Sequence, residues 1–341
     1  MSGVDRRLGG ISYLPVHTKL ETDADGVYVD GVPELISGEI KKWADAANVK
    51  TLRIPGYWYF GSGHEAKTIY QPGEKVILYF HGGGYWSLSA HPSSSVSAVI
   101  RKILAHSPSI ARAFSVEYRL TTPYTPDRSP GEHPFPAQLI DGLSAYVYLI
   151  RKHGVPAENV IFVGDSAGAN LVLGLTRYLV ENTNSVSQLP GPPGGTVLLS
   201  PWCDLSGSHA ALDDTEYTHA RSDFLGPPPA PFSPPSATIP LAGSNGQAVL
   251  ESPYLSPACK KLKDVSFKGF PETFIVYGGG ETLVGSIRTL ISRMEKDLGD
   301  KLKVIESKDA MHDILGFEWY EPERTEAAIA IGSWMEGLSL A

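Results

Sequence analysis

Ser166 lies between two glycines in Gly164-Asp165-Ser166-Ala167-Gly168, with the apolar run NVIFV before it and NLVLGL after it. A serine carried on a sharp strand-to-helix turn is presented as a nucleophile. The residues two before and two after it must be tiny, because strand and helix nearly touch there. An ordinary glycine-flanked turn has the same five letters, so the pentapeptide does not decide alone. His81-Gly82-Gly83-Gly84-Tyr85-Trp86, directly after KVILYF (75–80), adds a second feature. Glycine-rich backbone brings bare N–H groups close to an oxygen that turns negative, which acyl transfer through a tetrahedral intermediate requires. The competing use of such a loop, a phosphate cradle, wants a following Lys-Ser/Thr or a GxGxxG helix start, and neither is present.

A nucleophilic serine needs a base, and the base needs an orienting acid. GGGETL follows ETFIVY and places Glu281 in a loop at a strand end; SKDAMHDIL follows KLKVIE and places His312 in the next one. His312 is the only one of the ten histidines after Glu281. Asp204, at the end of GTVLLSPWC, competes with Glu281 for the acid's role. Asp309 and Asp313 compete less well, because a loop neighbour seldom reaches Nδ1 of the imidazole from the correct side. His81, with Gly82, reads as support for the glycine loop by hydrogen bonding. His91, His106, His133 and His153 read as solvated or structural groups.

The elements that must position these residues begin at about residue 73, where short apolar runs alternate with longer helical stretches. That rhythm is the mark of a mainly parallel sheet with helices on both faces. The expected strands are 75–80, 111–118, 159–163, 195–200, 272–277 and 301–306. Runs such as VILYF and VIFV are apolar at every position, as strands covered on both faces are. Residues 136–154 read as a helix capped by Gly154. The segment after Ser166 is apolar nearly all round and reads as a buried central helix.

Two segments break the rhythm. Residues 1–72 contain one expected helix, PELISGEIKKWADAA, and an aromatic cluster, Tyr57, Trp58, Tyr59 and Phe60. Residues 205–255 are polar and irregular, and GPPPAPFSPPSATIP (226–240) is too rich in proline for a regular helix or a central strand. The reading is a single α/β domain over 1–341, with a core of 73–204 and 256–341 and cap segments at 1–72 and 205–255.

Composition removes several function classes. The 341 residues are 42% hydrophobic and 19% charged, which suits a chain with a large core. A formal charge of −8 with no basic patch argues against nucleic acid and anionic lipid. No stretch approaches the roughly 20 apolar residues of a membrane span, and MSGVDRRLGG lacks a secretory core, so a cytoplasmic protein is expected. Cys203 and Cys259, the only cysteines, stand in no CxxC or Cys/His pattern, so no metal site and two reduced thiols are expected.

Taken together, HGGGYW, VEYRL (116–120) with PFPAQLIDGL (134–143), GDSAGANL, LLSPWCDLS (198–206), SPYLSP (252–257), GGGETL and His312 resemble the hormone-sensitive-lipase-like, or HGGG, family of α/β-hydrolase carboxylesterases. The matching pieces span roughly residues 75–320. The order serine, acid, histidine is that of the α/β-hydrolase fold. The resemblance implies an eight-stranded, mostly parallel sheet and a cap built from the two irregular segments. It also implies an oxyanion hole of the Gly83, Gly84 and Ala167 N–H groups, and no cofactor. There are departures: Ala169 stands where the family has a second glycine, and TTPYTPD follows YRL where the family has Ala-Pro-Glu.

The expected chemistry is hydrolysis of a small-molecule ester or lactone through an acyl-enzyme on Ser166, with His312 as base and Glu281 as orienting acid. Tyr85, Trp86 and Trp202, with the 57–59 aromatics, are available to line an apolar pocket, or else to pack cap against core. Without a secretory signal, a partly apolar metabolite, as in a biosynthetic pathway, is favoured over bulk fat. Elimination or cyclisation on the same fold is the alternative. A receptor-like binding protein is less favoured, because such relatives lack the histidine kept here. A homodimer stays open.

Overall fold

A computed structural model describes residues 24–64, 70–122, 132–211, 213–226 and 234–339. The strands are β1 (Ala24–Val29), β2 (Ile54–Phe60), β3 (Val76–Phe80), β4 (Arg112–Val116), β5 (Val160–Asp165), β6 (Gly195–Leu199), β7 (Glu272–Gly278) and β8 (Leu302–Ser307). They form one sheet in the order β1-β2-β4-β3-β5-β6-β7-β8. Pairing is parallel from β4 to β8, and β1 and β2 join antiparallel at one edge.

Strand periodicity explains the core. Side chains alternate faces, so Val76, Leu78 and Phe80 enter one buried cluster and Ile77 and Tyr79 the other. The first cluster holds α3 (Ala137–His153), α4 (Ala167–Asn182) and α8 (Val284–Leu298) through Leu139, Leu175 and Leu290. The second holds α2 (Ser97–Ala105) and α9 (Glu323–Gly337) through Ile103 and Ile331. Helices on both faces need strands apolar at every position, and β3 and β5 are buried throughout. The central helix expected after Ser166 is α4, buried along almost its whole length. Gly154 caps α3 as expected, with a left-handed φ of 71° and its N–H on the Ile150 carbonyl.

Two expectations are corrected. The segment 1–72 is not all cap, since β1 and β2 extend the sheet. In β2, Trp58 faces one cluster and Tyr57 and Tyr59 the other. Pro55 and Gly56 hid this strand, because both residue types usually interrupt one. Gly56 is required there by packing: a Cβ would lie 2.2 Å from the Phe114 ring. The proline-rich stretch also holds a helix, α6 (Pro234–Ala242). Pro234 and Pro235 take the first helical positions, where a missing N–H costs little, and only Pro240 falls inside. Residues 1–23, 123–131 and 227–233, including most of TTPYTPD, lie outside the described residues.

The irregular segments meet. Trp43 of α1 (Gly38–Ala46) packs edge-on against Tyr254, with ring centroids 5.5 Å apart, and Asn245 donates to the Trp43 carbonyl at 3.2 Å. Asn245 lies just before α7 (Gly246–Leu250). The stretch around α5 (Thr215–Thr218) docks instead on the loop after β7. There Asp223 accepts the Thr282 N–H at 2.7 Å, and Ser222 donates to the Gly280 carbonyl at 2.8 Å.

Candidate active site

Ser166 stands between β5 and α4 with φ 51° and ψ −114°, a strained conformation for a residue with a side chain. Backbone bonds on both sides hold it there. Its N–H donates to Leu199 at 2.8 Å, and its carbonyl accepts from Asn170 and Trp202, each at 3.1 Å. The two glycines are obligatory. A Cβ at Gly164 would sit 2.4 Å from the Gly168 carbonyl carbon, and one at Gly168 would sit 1.9 Å from the Phe80 carbonyl oxygen. Ala169 is accommodated, fully buried in the core.

His312 and Glu281 converge on this turn from the β8 and β7 loops. Ser166 Oγ lies 2.8 Å from His312 Nε2, and His312 Nδ1 lies 2.7 Å from Glu281 Oε2. Glu281 Oε1 accepts the Gly278 N–H at 3.0 Å, which fixes the carboxylate's orientation. Both side chains are buried. Burial raises the Glu281 pKa, against the pull of His312. Burial also disfavours the His312 imidazolium, but the carboxylates of Asp313, Glu281 and Asp223 outweigh it and raise the pKa.

The competing acids separate cleanly. Asp309 is exposed. Asp204 is buried and engaged elsewhere, accepting from Ser206 at 2.5 Å, from Ser208 at 2.6 Å and meeting His209 Nδ1 at 2.7 Å. Burial pushes its pKa up, but these partners outweigh burial and hold it down to about 2. Asp313 reaches the imidazole from the other side, with Oδ2 3.3 Å from Nε2, the nitrogen that faces Ser166. Its left-handed backbone (φ 56°) is pinned by its N–H on Ser200 Oγ at 3.0 Å. Burial raises the Asp313 pKa well above the usual carboxylate range, and Asp165 adds to the rise while His312 opposes it.

The glycine loop takes backbone that side chains resist. Gly83 has φ 107° and Gly84 φ 62°, and a Cβ at Gly83 would lie 2.2 Å from the Ser87 carbonyl oxygen. Gly82 donates to Asp165 Oδ2 at 2.9 Å, which ties this loop to the serine turn, and Tyr79 holds Oδ1 of the same carboxylate at 2.5 Å. His81 stacks on Tyr118 with centroids 4.3 Å apart. Burial pushes its pKa down to about 4, so the ring is neutral and its Nδ1–H donates to the Gly82 carbonyl at 2.7 Å. Ala167 opens α4, where a helix leaves its first N–H groups without intrahelical acceptors.

The expected pocket aromatics divide. Tyr85 is fully buried, bonds Asn170 Oδ1 at 2.7 Å and sits 6.4 Å from the Trp202 ring, so it packs the loop onto α4 and lines no open surface. Trp202 is 5% exposed and Trp86 half-buried. Cys203 and Cys259 are free and buried, and burial pushes the Cys203 thiol up. Among the described residues no group of three or more His, Cys, Asp or Glu is gathered as a metal site needs, and no helix is long and apolar enough to cross a membrane.

A family model described as the alpha/beta hydrolase fold matches residues 77–316. The chain belongs to that family. Within it, the relatives point to the hormone-sensitive-lipase-like branch of this alpha/beta hydrolase. An acetyl-hydrolase of Streptomyces hygroscopicus is 27% identical over 75% of this chain and 73% of its own length. The structure of EstE5 soaked with p-nitrophenyl butyrate is 28% identical with a TM-score of 0.60, covering 83% of this chain and 80% of that one. A hormone-sensitive lipase from a metagenome library is 27% identical with a TM-score of 0.61, covering 84% and 83%.

Sequence reasoning missed three supports of this hydrolase's site. Asp165 bridges the glycine loop and the serine turn, and only its place inside the GDSAG pentapeptide hinted at it. Asp223 steadies the Glu281 loop from an irregular insertion with no pattern to mark it. Ser200, with a positive φ of 41°, orients Asp313.

Proposed function

We propose that this alpha/beta hydrolase is a serine carboxylesterase acting through an acyl-enzyme, with Ser166 as nucleophile, His312 as general base and acid, and Glu281 as the orienting acid. The observation that carries the reading is the unbroken relay of 2.8 and 2.7 Å from Ser166 Oγ through His312 to Glu281, ending on a serine held at positive φ. His312 Nε2 takes the hydroxyl proton as Oγ attacks the ester carbonyl, and Glu281 stabilises the imidazolium. The Gly83, Gly84 and Ala167 N–H groups receive the oxyanion. His312 then gives its proton to the departing alcohol, and a water activated the same way releases the acid.

The substrates are small to medium, partly apolar esters or lactones, met in the cytoplasm without nucleic acid as partner. Acetyl hydrolysis by the Streptomyces relative, named as an acetyl-hydrolase, supports a short acyl group. Turnover of p-nitrophenyl acetate by the wild type and by Ser166→Ala tests the reading. Equal rates in the two proteins would sink it.

A further inference from the structure

The apolar surface beside His312 points to the alcohol half of the substrate. Phe224, from the insertion, lies 5.7 Å from the His312 ring, centroid to centroid. Phe317 lies 5.5 Å beyond Phe224, and Trp319 stacks on Phe317 at 4.7 Å with 29° between planes. Exposure runs against ordinary packing: Phe224 is 43% exposed and Trp319 68%. Apolar groups left in contact with water and with each other mark a recognition surface far more often than isolated ones do. The loop that carries Phe317 and Trp319 is tied down. Tyr320 accepts the Met311 N–H through its hydroxyl at 3.1 Å, and Arg324 donates to the Leu315 carbonyl at 2.9 Å.

Resting on the esterase reading above, we propose that Phe224, Phe317 and Trp319 form a subsite for an uncharged aromatic alcohol group of the ester. The chemistry fixes which half of the substrate lies there. When the tetrahedral intermediate collapses, the carbon–oxygen bond to the alcohol breaks and His312 Nε2 delivers its proton to that oxygen. The oxygen must therefore lie within about 3 Å of Nε2. The acyl carbon stays on Ser166, and its oxyanion turns toward the glycine loop. The alcohol's carbon frame accordingly leaves from the imidazole, where the row of rings starts.

Charge selects the class. Glu281 faces His312 from the β7 loop, Asp223 from the insertion, Asp165 from the end of β5 and Asp313 from the histidine's own loop. A carboxylate or phosphate on the alcohol would lie next to this cluster of acids and be disfavoured there. An uncharged ring would instead stack on exposed faces.

Three acetates test this: 2-phenylethyl, hexyl and ethyl acetate. Their alcohols have similar leaving-group basicity, so the comparison reads binding rather than intrinsic reactivity. The wild type is expected to prefer 2-phenylethyl over hexyl acetate in kcat/KM. Trp319→Ala and Trp319→Leu are expected to lower the 2-phenylethyl to ethyl ratio about tenfold, mainly through KM. Trp319 is mostly exposed, so both variants should fold. Ser166-dependent hydrolysis with an unchanged ratio in both variants overturns the subsite and leaves the esterase standing. No Ser166-dependent hydrolysis of any of the three removes both. Light scattering covers the other occupant: an assembly that Trp319→Ala breaks, with the ratio unchanged, would make the rings a contact between copies and overturn the subsite.

Discussion

Among the described residues, two carboxylate–histidine–hydroxyl relays have nearly equal geometry. In one, Glu281, His312 and Ser166 are linked at 2.7 and 2.8 Å. In the other, Asp204, His209 and Thr289 are linked at 2.7 and 3.1 Å. Spacing alone does not separate them; the hydroxyl's setting does. Thr289 lies inside α8, where the Gly285 carbonyl, 3.0 Å from its hydroxyl, competes with His209 for its proton. The backbone N–H groups around a mid-helix residue are consumed by the helix, and none is left for an oxyanion. Ser166 instead precedes the first turn of α4, on backbone that lifts its oxygen toward His312. A relay becomes a catalyst when its hydroxyl stands at a helix start opposite free donors.

The contrast breaks most severely at Ser166. Ser166→Ala should lower kcat/KM for p-nitrophenyl acetate by about four powers of ten or more, with the circular dichroism spectrum unchanged. Glu281→Gln keeps the shape but removes the charge that stabilises the imidazolium and favours the productive tautomer. A loss of roughly 10³- to 10⁴-fold in kcat is expected, with KM little changed. A loss below tenfold would show that another acid, Asp223 or Asp313, does Glu281's work.

The asymmetry between the relays explains what could be read from the sequence. Ser166, the glycine loop and Glu281 were legible because each sits beside glycines where a buried strand ends, and His312 because it lies in the loop after the next strand. The central strands β3 and β5 were legible because their VILYF and VIFV runs are apolar at every position. The antiparallel edge was not: β2 contains Pro55 and Gly56, and its fit depends on the Phe114 ring, a contact 58 residues away in the chain. The helix α6 was hidden by prolines that are tolerated only because two of them fall at its start. His209, Asp223 and Phe224 come from an insertion without periodicity, so only folding brings them to their partners. Asp313 follows His312 directly in the chain, too close to reach Nδ1, and meets Nε2 instead.

Asp313 sharpens the comparison, because the Asp204–His209 pair has no second carboxylate at Nε2 among the hydrogen bonds and ion pairs of the described residues. His312 must be neutral to act as a base. Its raised pKa therefore places the onset of activity at higher pH than an unperturbed histidine near 6.5 would give. Removing a negative charge makes the imidazolium easier to deprotonate. Asp313→Asn should accordingly move the acid limb of the kcat/KM profile to lower pH by about one unit, with a change of less than tenfold in the plateau. An unmoved limb, in a variant that folds normally, would mean that Asp313 stays protonated throughout and contributes no charge to His312.

The smallest catalytic effect is expected at the second relay. His209→Ala removes a ring that is 2% exposed and leaves Asp204 with the Ser206 N–H and the Ser206 and Ser208 hydroxyls. Losing one partner of a buried carboxylate costs roughly 1–3 kcal/mol, so the unfolding midpoint should fall by several degrees. Because Thr289 lies inside α8, where the helix consumes the backbone N–H groups an oxyanion would need, kcat/KM should stay within about twofold of the wild type at 25 °C. A drop of tenfold or more in a protein that remains folded would falsify the division between the two relays. It would show that Asp204 and His209 set the position of the β7 loop, and with it Glu281, closely enough to control the chemistry at Ser166.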